Sequence, residues 1–216
     1  MQTLLHTDPD AVQVALARLD LEEEILLTAA QASYLAKANS TANHPPMHAP
    51  FVAWSEAVRA LRDGLVTRGW QRNNDKNWPR TIHPSGNIAL TVATGNEATG
   101  RAGDSPSTKA AKGPSTVGAL EVNRGLQFWL PGMEPPQALD ANEEEDSKTV
   151  TWLLLVHHAA NEIRAELSLP LDVDREGKVA VWRERIILHS IPPDGEPVEV
   201  QPPALPDIDV AVRRKA

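Results

Sequence analysis

Residues 151–170 leave the chain little choice of local structure. Two runs, 151–158 and 163–170, flank Ala159-Ala160-Asn161-Glu162. Side chains alternate between the faces of a strand. A two- or four-residue loop therefore sets Trp152, Leu154, Val156 and His158 opposite Leu169, Leu167, Ala165 and Ile163, an almost wholly apolar face. A slip of one residue would send Arg164 and Glu166 to that face, so the pattern selects one register, with Val156 opposite Ala165 and Leu154 opposite Leu167. The other face pairs Leu153, Leu155 and His157 with Ser168, Glu166 and Arg164. It is half apolar, which implies that something partly covers it.

Helices come earlier. Asp8-Pro9 reads as an N-cap with Pro at the first helical position, and Asp20 with Glu23 reads as a capping box. Leu21, Ile25, Ala29, Ala32 and Leu35 or Ala36 then share one helical face. Residues 9–38 are one helix or two. Residues 39–50, with three Pro, form a linker. Pro50 opens a helix with the stripe Trp54, Val58, Leu61 and Leu65, which shows Arg59, Arg62 and Asp63 to water and stops near Gly69. Around the 83–87 turn, the alternating 88–93 run pairs with 78–82.

Residues 95–113 are Gly, Thr, Ser, Ala and Lys with little to bury, so they predict a long loop. A short helix follows over 114–124. Residues 131–148 carry six acidic side chains before Lys148, which suits a flexible linker. Residues 178–189 are ambiguous between helix and strand. Residues 192–206 hold six Pro and predict an extended tail.

The predicted fold is α+β, with N-terminal helices packed on an antiparallel sheet made of hairpins and with long flexible loops. Residues 1–130 form a helical plus hairpin region with a basic surface, and 131–149 an acidic linker. Residues 150–191 complete the same core, and 192–216 are a Pro-rich tail.

The formal net charge is −8, which argues against indiscriminate binding to nucleic acid or anionic membrane. That total hides a division. Residues 51–130 carry ten Lys or Arg against six acidic residues, between acidic flanks. Such asymmetry can mark a local anion-binding surface. There is no Cys, hence no disulfide, thiolate metal site or cysteine nucleophile. The N-terminal residues lack the makings of a signal peptide and no apolar run reaches membrane-spanning length, so the expected address is the cytoplasm.

Three constellations could carry chemistry. Residues 68–80 gather Arg68, Arg72, Lys76 and Arg80 with Trp70 and Trp78. Cations neutralise phosphates and Trp faces stack on bases, so this mixture suits single-stranded or distorted nucleic acid. The bland alternative makes both Trp core residues. Residues 94–116, with Lys109 and Lys112, could cradle a phosphate, though the Walker string is absent. The third is His157 with Arg164 and Glu166, an acid/base cluster or an ordinary cross-strand one. The Asp172–Gly177 stretch opens like a calcium loop, but Arg183 stands where a bidentate Glu is needed. His157 and His158 point to opposite faces and cannot share a metal.

The favoured reading is a non-enzymatic binding protein without cofactor or metal. Arg68, Trp70, Arg72, Lys76, Trp78, Arg80, Lys109 and Lys112 contact a phosphate-bearing partner, DNA or RNA. One alternative is a regulator that binds another protein through the 151–170 hairpin and the Pro-rich tail. Another is a hydrolase using His157 and Glu166.

Overall fold

The hairpin adopts the register that its apolar pattern requires: Val156 faces Ala165, Leu154 faces Leu167, and His157 faces Arg164. A computed structural model, which describes residues 3–125 and 149–193, sets this hairpin (β5, Val150–His158; β6, Ile163–Val173) within a seven-stranded sheet. The other strands are β1 (Leu4–His6), β2 (Gln71–Asn73), β3 (Arg80–Ile82), β4 (Ile88–Thr94) and β7 (Val179–Ile187), in the order β1-β7-β6-β5-β4-β3-β2.

With four α-helices among the described residues, the class is α+β. The expected antiparallel sheet of hairpins is corrected, because the sheet is mixed. β4 runs parallel to β5, and β1 runs parallel to β7. Parallel neighbours need a long crossover, and more than fifty residues separate the end of β4 from the start of β5. The β3–β4 hairpin forms as read, with Thr81 opposite Leu90. The ambiguous 178–189 stretch is strand β7.

Residues 9–38 make two helices, α1 (Pro9–Ala17) and α2 (Glu23–Ala38). Asp8 caps α1 by accepting from the amides of Asp10 and Ala11. Asp20, at a left-handed φ of 57°, breaks the run, and α2 begins without a side-chain cap. The third helix, α3 (His48–Val66), starts just before Pro50. Leu26, Ala29 and Ala30 of α2 and Ala57, Leu61 and Leu65 of α3 pack on Leu90, Val92, Trp152, Leu154, Val156 and Leu167 of the sheet.

The opposite face of the sheet is covered too. There α4 (Pro114–Gly125) sets Leu120 against Ala93, Leu153, Leu155, Val179 and Trp182. A strand buried on both faces reads as a continuous apolar run, which is why β5 carries Trp152–Val156 without a polar break. The 95–113 loop lies over the same face. Trp182 Nε1 donates to the Pro106 carbonyl at 2.8 Å, and the Thr108 amide donates to the Val179 carbonyl at 3.0 Å. Of the acidic linker expected over 131–149, residues 131–148 lie outside the described residues, as do residues 194–216 of the Pro-rich tail expected over 192–216. Among the described residues, no helix is long and apolar enough to cross a membrane.

Candidate nucleic-acid interface

The chain turns sharply between β2 and β3. Residues Asp75–Asn77 form a single 3-10 turn, in which Lys76 and Asn77 both hold φ at 55°. Left-handed backbone is unfavourable for a lysine, so neighbours must hold this corner. Arg62 on α3 does so. Its Nη2 donates to the Asn73 carbonyl at 3.0 Å, to Asn74 Oδ1 at 2.8 Å and to the Arg80 carbonyl at 3.0 Å. Burial, with the charge of neighbouring Arg72, lowers the Arg62 guanidinium below its ordinary pKa. Arg72 itself is exposed on the edge strand β2.

Trp78 follows the turn, half-buried, with the Arg80 guanidinium carbon 4.9 Å from its ring centroid. Arg80 is 5% exposed and also donates to Asn73 Oδ1 at 3.3 Å. These residues form one wall of a groove of about 330 Å³. Lys76, Trp78 and Arg80 line it on one side; Ser115, Gly118, Ala119 and Val122 of α4 line the other, with Thr149 and Thr151 also in its lining. Asp75 also lines it, and its carboxylate accepts from Asn73 Nδ2. The arrangement sets an exposed Lys76 at the rim and the buried Arg80 behind Trp78, in a groove of mixed polar and apolar lining.

The remaining members of the expected site lie elsewhere. Trp70 is a core residue, 2% exposed, with its ring packed edge-on to His83 at 4.9 Å. A base cannot stack on it, and the expectation that Trp70 contacts the partner is corrected: the chain bends back after α3 and drives this ring under the sheet. Arg68 pairs with Glu22. Lys109 and Lys112 are outside the groove lining. The Lys109 amide donates to the Thr94 carbonyl and the Lys112 amide to the Gly177 carbonyl. Burial lowers the pKa of Lys112.

The His157–Glu166 cluster is built differently from an acid/base pair. Glu166 is 0% exposed, and four donors occupy its carboxylate. Ser168 Oγ at 2.7 Å and Arg185 Nε at 3.0 Å reach Oε1, while the Gly100 amide at 2.9 Å and Arg185 Nη2 at 2.7 Å reach Oε2. His157 Nδ1 donates to the Gly95 carbonyl at 3.3 Å. Burial, opposed by that bond, lowers the His157 pKa. The half-apolar hairpin face is covered, as its composition implies, and the cover is the chain's own α4 and 95–108 loop.

Three contributors escaped the sequence reading. Arg62 looked like part of a solvated helix face, and nothing in periodicity separates it from Arg59, which does sit in exposed pairs with Glu56 and Asp63. Thr151 looked like the first residue of a strand, and Asn123 like a helix-end polar residue. Among the described residues, no three His, Asp or Glu side chains gather as metal ligands. Comparison of the chain with protein-family models, with curated proteins and with solved structures found no match.

Proposed function

We propose that this chain is a non-enzymatic binding protein that takes a phosphate-bearing partner, DNA or RNA, on the groove between the 75–80 corner and α4. The observation that carries this reading is the Trp78–Arg80 stack, set in a concave site beside Lys76. Cations at the rim neutralise phosphate and release its counterions. The aromatic wall adds a contact that every base can make. Arg72, exposed on the neighbouring edge strand, adds positive charge to the approach. The net charge of −8 then opposes contacts elsewhere on the molecule.

The rival readings have less support. A partner docking on the 151–170 hairpin would find both of its faces occupied by the chain's own helices and loop. A hydrolase would need Glu166 open to substrate, and that carboxylate is saturated by Arg185, Ser168 and Gly100.

A salt series tests the proposal. Log affinity for a short oligonucleotide should fall linearly with log salt, and Lys76→Ala or Arg72→Ala should each flatten the slope by about one unit. Binding that is indifferent to salt, or no binding to any DNA or RNA at low ionic strength, would remove the reading.

A further inference from the structure

Thr151 lies in the lining of the groove, and the rest of its environment is accounted for. It shares the α4 side of β5 with Leu153 and Leu155, since side chains along a strand alternate. Its backbone N–H and carbonyl are both bonded to the Asn123 side chain. The side chain is different. Thr151 is 1% exposed, and its hydroxyl has no hydrogen-bond partner among the described residues. A buried hydroxyl left unpaired is unfavourable, and this one can either donate or accept. It suits the mixed donors and acceptors on the edge of a nucleobase.

The walls fit the same ligand. Trp78 provides one aromatic side, and its indole N–H makes no hydrogen bond among the described residues. Gly118 and Ala119 face it across the groove with almost no side chain, which leaves room for a flat ring. About 330 Å³ is at the small end of ligand clefts, on the scale of one nucleotide. A stacked duplex presents no single base to a slot of this kind, and reaching Thr151 requires a base outside the helix.

We infer that the groove holds one unpaired base between Trp78 and the Gly118–Ala119 wall, with the Thr151 hydroxyl on its edge, so that the partner is single-stranded nucleic acid. This rests on the proposed phosphate-binding role of the same surface. The cations at the rim take the flanking phosphates, and the slot takes the base.

The test uses the full chain and three fluorescent probes of equal length: a single strand, an abasic strand with the same phosphates, and a duplex. The single strand should bind about tenfold more tightly than either of the others at a given salt, the size of one stacking contact. Trp78→Ala should bring its affinity down to that of the abasic strand without changing the salt slope, and Trp78→Phe should restore most of the difference. Thr151→Val, close in shape and so safe for the fold, should weaken the base-containing strand severalfold and leave the abasic strand unchanged. Equal affinity for abasic and intact strands overturns the base slot while leaving the phosphate reading standing. Failure of all three probes to bind overturns both.

Discussion

Asn123 and Thr151 are joined as two strand residues would be: the Thr151 amide donates to Asn123 Oδ1 at 3.0 Å, and Asn123 Nδ2 donates to the Thr151 carbonyl at 2.9 Å. The same Nδ2 reaches the Pro170 carbonyl at 3.0 Å. The paired stretch of β5 and β6 begins at Leu153 and Ser168, and the next position on β6 facing Thr151 is Pro170, which has no N–H to donate. A side-chain amide from α4 takes its place in the ladder. That bond set also anchors α4 as the far wall of the groove. Asn123, 3% exposed, leaves three buried backbone groups without partners if it is removed. Asn123→Ala should cost about 3 kcal/mol in urea unfolding. A loss under about 1 kcal/mol would mean that water replaces the amide freely.

Gly100 is a tight point of the loop over the second face. Its φ is +73°, and a Cβ there would stand 2.9 Å from the Arg164 Cβ, while its amide holds Glu166. Gly100→Ala combines left-handed backbone strain with a contact that a β-carbon cannot yield. We expect a loss of roughly 1–3 kcal/mol and faster tryptic cleavage after Arg101. Cleavage as slow as in the parent chain would show that the loop is held by its other bonds.

His158 gives the fold a pH dependence with a definite sign. Its ring packs edge-on to Tyr34 at 5.7 Å, and its Nε2 is buried without a partner among the described residues. Burial first, then the charges of Lys37 and His157, push its pKa down to about 4. The unfolded chain takes up that proton near pH 6.5. Stability is therefore whole above about 6.5, falls as the pH drops toward about 4, and stops changing from this source below that. With allowance for the ring's partial solvent contact, the loss is about 2 kcal/mol. His158→Gln should lose less stability than the parent chain over that interval. Parallel curves for the two proteins would exclude His158 as the cause.

How much of this was legible depends on where the signal resides. The β5–β6 register was, because Arg164 and Glu166 mark the cost of a slip. β7 was not, since Val179, Trp182 and Ile186 are buried at a spacing that a helix would also produce. The 95–113 loop read as unanchored because its anchors belong to other segments: Arg185 binds the carbonyls of Arg101 and Asp104, and Trp182 that of Pro106. Backbone acceptors leave no mark in composition. Trp70 and Trp78 are the same residue type eight positions apart, and only the chain reversal after α3 decides which ring is entombed and which lines the groove. β1 is three residues long with two exposed leucines, so no alternation could reveal it.

Arg185 and Glu166 supply the sharpest stability test. The pair is bidentate and buried, and it ties β7 to β6 while Arg185 also holds the 95–108 loop through two carbonyls. Removing one partner leaves the other charge uncompensated in the interior, so Glu166→Leu should cost about 3–5 kcal/mol in chemical unfolding. Replacing both with apolar residues removes the stranded charge. The double variant Glu166→Leu with Arg185→Met should therefore be more stable than the Glu166→Leu single variant, although it loses the loop carbonyl bonds. Those lost bonds make a separate readout: the double variant should become sensitive to trypsin after Arg101 even where its unfolding midpoint recovers. If Glu166→Leu proves as stable as the parent chain, the carboxylate is not the centre of this face. If the double variant is worse than the single one, Arg185 acts mainly through the loop carbonyls rather than through Glu166.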